Sequence, residues 1–166
     1  MTRLLTTGYE TGDVNEAGVT TTGSGASLSV VNTVPVPRAG AYCLKVLGSA
    51  TAWNPTYKSF AFVPKTEIWV RFAMYAHVVA TIESWIATVL DSAGVAQNTL
   101  TYSSNDGLLR IRLGNAFGGT LLATASTAFS QDAWHLVDWR TQILSTTTGT
   151  TEVWLDGNRI INFSGS

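Results

Sequence analysis

The most constraining feature of this sequence is a long alternation of apolar and polar residues near its C-terminal end. Within residues 134–143 one set of alternate positions holds Val137 and Trp139, and the other set holds Asp138 and Arg140. Successive side chains of a β-strand point to opposite faces, so this pattern predicts a strand with one packed face. One sheet cannot bury an apolar face alone. We therefore predict an all-β fold, a two-sheet antiparallel β-sandwich.

Sequence patterns in the remainder of the chain predict more strands of the same kind. Residues 67–75, EIWVRFAMY, form the strongest single strand pattern, and a short strand is expected at Arg3–Thr7. Turn residues recur, as in Asn105-Asp106-Gly107 and Asp156-Gly157-Asn158, and separate roughly ten to twelve short strands. No segment holds a helical period. With 166 residues and no dividing linker, we expect a single domain spanning residues 1–166.

The alternation sorts residues into a core set and an outer set. The core set is apolar and is expected between the two sheets: Val70, Phe72, Met74, Val137, Trp139, Val153 and Leu155. The outer set combines aromatic rings with fixed charges: Glu67, Trp69, Arg71, Tyr75, Asp138, Arg140, Glu152 and Trp154. If these strands share a sheet, the outer set forms one surface. The simplest interpretation of this surface is a ladder of cross-strand pairs of opposite charge, each stabilising by roughly 0.2–1 kcal/mol, that a loop or a neighbouring subunit covers.

Composition excludes several classes of partner. Charged residues make up 13% of the chain and the net charge is −1, so no basic field for nucleic acid or anionic lipid is expected. No apolar span or secretory signal pattern is present, so no membrane association is expected. Cys43 is the only cysteine, which rules out an intrachain disulfide. We therefore expect folding in a reducing cytoplasm.

Four segments in order resemble landmarks of one β-sandwich family. Residues 8–13 read GYETGD, residues 38–44 read RAGAYCL, residues 67–72 read EIWVRF, and Trp134-His135 precedes a strand and turn over residues 153–157. Together they resemble concanavalin A-like (laminin-G-like) jelly rolls, particularly those of bacteriophage structural and tail proteins. The second segment has alanine where the family usually has serine. The resemblance spans nearly the whole chain and implies a jelly-roll fold, while fold alone says little about ligand.

The same resemblance implies a role in a virus particle. We expect a non-enzymatic structural or interaction module of a bacteriophage: a capsid-surface, tail or fibre component in the virion, made in the host cytoplasm. Its partners would be neighbouring copies, as a homo-oligomer, or other virion proteins. Family members usually continue beyond the segment matching residues 158–165 with a closing strand, so we expect either that this chain is cut from a longer protein or that the closing strand comes from elsewhere. Because bare strand edges are rare, we expect Arg3–Thr7 or Ile160–Phe163 to be completed from outside the chain.

Two other functions compete with this one. The outer set also suits a carbohydrate-binding module for a cell-surface glycan, because aromatic rings stack on sugars while charged groups orient hydroxyls. A glycoside hydrolase or a lyase is expected less than either the structural module or the carbohydrate-binding module. Hydrolysis needs two carboxyl groups about 5–9 Å apart, one with a raised pKa, whereas Arg71 and Arg140 would lower the pKa of neighbouring carboxylates. The protein is therefore predicted not to be an enzyme.

No cofactor is predicted, and metal sites have little support in the sequence. His77 and His135 lie on separate strands without the spacing of a transition-metal site. Jelly rolls of the family often hold a structural Ca²⁺ at the opening loop, which makes Glu10 and Asp13 the candidate ligands. Ca²⁺ takes six to eight oxygens, more than these two carboxylates supply. A solvated turn is the alternative for this loop.

Overall fold

The computed structural model describes residues 13, 18–21, 27–47, 57–61, 63, 65–77, 83–115, 118–144 and 149–165. Every regular element in these ranges is a β-strand: β1 Val19–Thr21, β2 Ser27–Val31, β3 Cys43–Leu47, β4 Tyr57–Ser59, β5 Glu67–Tyr75, β6 Glu83–Leu90, β7 Ala96–Ser103, β8 Leu108–Leu113, β9 Thr120–Thr124, β10 Trp134–Gln142, β11 Thr150–Leu155 and β12 Asn158–Ser164. No helix long and apolar enough to cross a membrane occurs in this described part. The chain divides into two compact units, residues 1–63 and 64–166. The single domain expected over residues 1–166 stays a prediction.

The described residues of the first unit form two antiparallel strand pairs. β2 pairs with β3 over five residues, and β1 pairs with β4 over three. Gly18, which precedes β1, has φ of +72°, and a Cβ at this position would lie 2.5 Å from the carbonyl oxygen of Ser59, so only glycine fits beside β4. The expected strand Arg3–Thr7 lies outside the described residues.

The second unit is an antiparallel β-sandwich of the jelly-roll type. One sheet has the strand order β12-β11-β10-β5 and the other has the order β6-β7-β8-β9. All strand pairs in both sheets are antiparallel. β5 therefore lies beside β10, although four strands separate them in the chain. The predicted all-β, two-sheet fold is confirmed.

Side chains from both sheets form one core. Leu100, Leu109 and Ile111 come from the β6–β9 sheet and are fully buried against Val137 and Trp139 of the other sheet. The predicted core residues Val137, Trp139, Val153 and Leu155 are buried. Val70, Phe72 and Met74 are half-buried and pack against the core. Their shielding is lower because β5 is the last strand of its sheet within the described residues.

The hairpin between β11 and β12 shows how local sequence sets the strand register. Its two loop residues are Asp156, with φ of 50°, and Gly157, with φ of 84°. Two left-handed residues in succession make a type I′ turn, whose twist suits antiparallel strands. In β12, Ile160 and Ile161 are buried. Completion of this edge from outside the chain stays a prediction.

Candidate functional site

The eight residues of the predicted outer set lie on one face of the β12-β11-β10-β5 sheet, named here the charged aromatic face. Register places Arg71 opposite Asp138 and Trp69 opposite Arg140, because β5 pairs directly with β10. The same ladder continues to β11, where Glu152 is opposite Arg140 and Trp154 is opposite Asp138. Glu67 and Tyr75 occupy the two ends of β5 with the same alternation. A surface of aromatic rings and charges therefore runs across three adjacent strands.

Arg140 is the centre of an ion-pair network on this face. Its Nε lies 3.1 Å from Glu67 Oε1, and its Nη1 lies 2.8 Å from Glu152 Oε2. Arg159 adds a second cation, 2.9 Å from Glu152 Oε1. Hydrogen bonds from Arg140, and then from the Trp69 indole N–H, hold the pKa of Glu67 below its ordinary value. Glu67 is therefore an anion at neutral pH and unsuited to donate a proton.

Arg71 and Asp138 form a second ion pair with a different exposure. Arg71 Nε and Nη2 donate to the two oxygens of Asp138 at 2.5 and 3.0 Å, and this bonding raises the pKa of Arg71. The Asp138 side chain is only 12% exposed, whereas that of Arg71 is 69% exposed. Guanidinium has five N–H donors, and this pair uses two of them. The remaining donors of Arg71 are available to an anionic ligand.

Two tryptophans provide the apolar part of the face. Trp69 and Trp154 stack with ring centroids 5.4 Å apart and planes 17° apart. The Arg140 guanidinium carbon lies 5.5 Å from the Trp69 ring centre, and the Trp69 indole N–H donates to Glu67 at 2.9 Å. Trp69 remains 41% exposed. The pair is a fixed aromatic surface on which a sugar ring can stack.

A cluster of proton-transfer groups lies at the end of the face where β5 stops. His77 Nδ1 is 2.6 Å from Asp132 Oδ1, and the Tyr75 hydroxyl donates to the same oxygen at 3.4 Å. The amide of Asp132 donates to the carbonyl of Ala76 at 3.0 Å, which holds the loop against this end of β5. Burial and then the negative charge of Asp132 raise the pKa of Tyr75. The exposed His77 and the protonated Tyr75 are thus an adjacent base and acid.

Only part of this cluster was predicted from the sequence. Tyr75 was assigned to the outer set, whereas His77 received no function and Asp132 was not singled out. The only signal in the sequence is that Asp132 stands just before β10, whose first residue, Trp134, pairs with Tyr75. That neighbour relation exists only once β5 and β10 share a sheet.

No metal centre is visible among the described residues. No group of three or more histidine, cysteine, aspartate or glutamate side chains there could hold a metal ion. Of the two Ca²⁺ candidates, Glu10 lies outside the described residues and Asp13 is exposed. The calcium site therefore stays a prediction.

Comparison with known proteins gives one result about the fold. No family model and no curated protein sequence matches the chain. Among solved structures, the chain is similar to the endo-β-1,4-glucuronan lyase from the fungus Trichoderma reesei, with a TM-score of 0.62 and 16% sequence identity. The match covers 92% of this chain and 73% of the lyase chain. At this identity the likeness shows the jelly-roll β-sandwich fold that lectin-like and glucanase-like domains also have.

The comparison corrects two predictions. The chain was expected to be a non-enzymatic module, whereas the solved structure that shares its fold is a polysaccharide-cleaving enzyme. The chain was also expected to be a bacteriophage virion component, and nothing in the comparison points to a virus particle. The segments that resemble the jelly-roll family indicate a fold, and that fold occurs with several functions. The comparison therefore supports the jelly-roll fold that the sequence predicts and does not support the function inferred from it.

Proposed function

We propose that this protein cleaves an acidic polysaccharide by β-elimination on the charged aromatic face. The observation that carries the proposal is the Tyr75–Asp132–His77 cluster, an acid and a base at one end of the face that also carries the two stacked tryptophans. The fold likeness to a glucuronan lyase supports the same reaction class. The substrate would be a chain of uronic acids, since elimination requires a C–H bond made acidic by an adjacent carboxylate.

The carboxylates of the face favour elimination over hydrolysis. A glycoside hydrolase uses two carboxyl groups, one of which must hold its proton at the working pH. Glu67 and Glu152 are both bound to Arg140, and this contact lowers the pKa of Glu67. The Arg140 guanidinium beside Glu67 stabilises the anionic form of that carboxylate. Elimination needs no such pair, because its base and acid can be histidine and tyrosine.

The remaining residues of the face suit a bound uronate chain. Trp69 and Trp154 supply the stacking surface, and Arg71 has N–H donors left for a substrate carboxylate. Between Arg71 and Tyr75 the face carries Ala73, which is exposed and small. Arg71 and Tyr75 are about 13 Å apart along the strand. The space above Ala73 can therefore hold a sugar ring between the cation and the acid–base cluster.

The reaction follows from the positions of the protons. His77 Nδ1 is bound to Asp132, so its Nε2 is the atom that takes the proton from C5 of the uronate. Asp132 stabilises the imidazolium that forms, as an aspartate does for any histidine base. The C4–O bond breaks, a C4=C5 double bond forms, and the Tyr75 hydroxyl gives its proton to the departing oxygen. The raised pKa of Tyr75 keeps that proton in place at neutral pH.

The proposal is tested by incubating the protein with poly-β-1,4-glucuronate, alginate and polygalacturonate and following the ultraviolet absorbance of unsaturated chain ends. We expect turnover of at least one of them. His77→Gln and Tyr75→Phe should each reduce it by about 100-fold or more, whereas Tyr42→Phe, a matched tyrosine change in the first unit, should leave it unchanged.

Three outcomes would refute the proposal. The first is that none of the three polyuronates acquires unsaturated ends, even where binding is measurable by calorimetry. The second is that both variants retain full turnover. The third is release of saturated reducing ends, which would mean hydrolysis.

A further inference from the structure

A serine, a histidine and an aspartate are hydrogen-bonded in series outside the charged aromatic face. Ser130 Oγ lies 2.8 Å from His135 Nε2, and His135 Nδ1 lies 2.6 Å from Asp156 Oδ2. Ser130 is in the loop before β10, His135 is the second residue of β10, and Asp156 is in the β11–β12 turn. His135 follows Trp134 in the strand, so its side chain is on the opposite side of the sheet from the charged aromatic face.

The distances allow one arrangement of protons that activates Ser130. An ionised carboxylate only accepts hydrogen bonds, so His135 donates from Nδ1 to Asp156. In the neutral imidazole Nε2 then carries the lone pair, and Ser130 donates its hydroxyl proton to it. These are the proton positions of a serine nucleophile activated by a histidine base that an aspartate orients.

The histidine ring and its aspartate are held from several sides. Asp156 Oδ1 accepts the amide of Leu136 at 2.8 Å, and the amide of Asp156 donates to the carbonyl of Leu136 at 2.9 Å. The ring centre of Phe129 is 4.3 Å from that of His135, and the His135 side chain is only 14% exposed. Ser130, in contrast, is exposed. The base is therefore immobilised while the nucleophile faces solvent.

A groove beside the series provides space for a small acyl group. It has a volume of about 290 Å³, and His135 and Asp156 form part of its wall. The other lining residues are Thr127, Ala128, Leu155, Asn158 and Ile160. Three of these are apolar, which suits a short hydrocarbon chain.

We propose that Ser130, His135 and Asp156 form a catalytic triad that hydrolyses esters of short-chain carboxylic acids. Ser130 Oγ attacks the ester carbonyl carbon as its proton passes to His135 Nε2. The carbon–alkoxide bond then breaks, the alkoxide takes that proton and leaves as an alcohol, and the acyl group stays on Ser130. Water attacks the acyl group, His135 takes a proton from the water and returns it to Ser130 Oγ, and the free acid departs.

The test is covalent labelling of the intact wild-type chain with a fluorophosphonate, followed by peptide mass spectrometry. We expect one adduct per chain, on Ser130. The rate of p-nitrophenyl acetate hydrolysis should fall by about 100-fold in Ser130→Ala and by at least about 10-fold in Asp156→Asn. Ser92→Ala, which removes an exposed turn hydroxyl between β6 and β7, should keep the wild-type rate.

The wild-type labelling experiment decides the proposal even if a variant fails to fold. Absence of an adduct on Ser130 after prolonged incubation would overturn it. Equal labelling of Ser130 and Ser92 would also overturn it, because an unactivated hydroxyl would then suffice. An ester hydrolysis rate in a folded Ser130→Ala variant equal to that of the wild type would have the same meaning.

Discussion

Trp139→Phe tests the core between the two sheets most directly. Trp139 is fully buried, and β10 places it opposite Val70 on one side and Val153 on the other. Its indole N–H donates to Thr151 Oγ1 at 3.0 Å. The same hydroxyl donates to the carbonyl of Arg140 at 3.3 Å, and that bond does not involve the indole. The substitution therefore removes one hydrogen bond and part of a ring without leaving a buried donor unpaired.

The expected loss of stability is the sum of two contributions. A phenyl ring in place of an indole buries about 50 Å² less apolar area, which at about 25 cal/mol per Å² costs about 1.2 kcal/mol. The lost hydrogen bond costs about 0.5–1.5 kcal/mol. With a small residual cavity, the free energy of unfolding should fall by about 2–3 kcal/mol. For a chain of this length, that lowers the melting temperature by about 4–12 °C.

Urea unfolding followed by circular dichroism measures this change, with Trp85→Phe as the control. Trp85 is 39% exposed, so the same substitution there should alter the free energy of unfolding by no more than about 0.5 kcal/mol. If Trp139→Phe costs no more than the control at an unchanged m-value, the two sheets do not pack around Trp139 as described.

The remaining predictions concern the second sheet, the aromatic pair and one turn. Hydrogen bonding from Arg112 lowers the pKa of Glu83 below its ordinary 4.5, so Glu83 adds stability above pH 4.5 that is lost as pH falls through its folded pKa. Urea unfolding should show Glu83→Gln less stable than wild type at neutral pH, with the difference shrinking as the pH falls below 4.5. Trp154→Ala should weaken oligoglucuronate binding about fivefold in calorimetry without lowering the melting temperature appreciably. A stability loss with unchanged binding would place Trp154 in the core instead. Gly157 has φ of +84° and open space around it, so Gly157→Ala should cost about 1–2 kcal/mol in urea unfolding through backbone strain alone.

The strand pattern was readable from the sequence because burial alternates residue by residue. Val137 and Trp139 are buried where the alternation placed them, and the strand pattern over residues 67–75 corresponds to β5. Alternation says which face a residue occupies, but it does not say how well that face is covered. Asp138 was expected on an outer face and lies on it, yet it is buried, because the long side chain of Arg71 binds across it.

The two candidate catalytic clusters could not be predicted in this way. His77 and Asp132 are 55 residues apart, and His135 and Asp156 are 21 residues apart. Each contact depends on a strand pairing, β5 with β10 or β10 with β11, and on the conformation of a turn beside it. Local patterns contain neither. Sequence resemblance predicted the fold but not the function, because the two matching segments in the second unit, residues 67–72 and the stretch from Trp134-His135 to residue 157, lie in strands and a turn of the sandwich.

Residues 129–135 contribute side chains to both candidate clusters: Asp132 to the first, and Ser130 and His135 to the second. Strand geometry keeps the two clusters apart. The amide of Phe129 donates to the carbonyl of Gly107 at 2.7 Å, and the amide of Asp132 donates to that of Ala76 at 3.0 Å, so the loop is tied to both sheets. Asp132 then meets the end of β5, while His135, inside β10, points to the other side of the sheet. Neighbouring residues of a strand cannot share a face. His135 of the proposed esterase triad therefore lies on the opposite side of the sheet from Trp134 and from the charged aromatic face of the proposed lyase site.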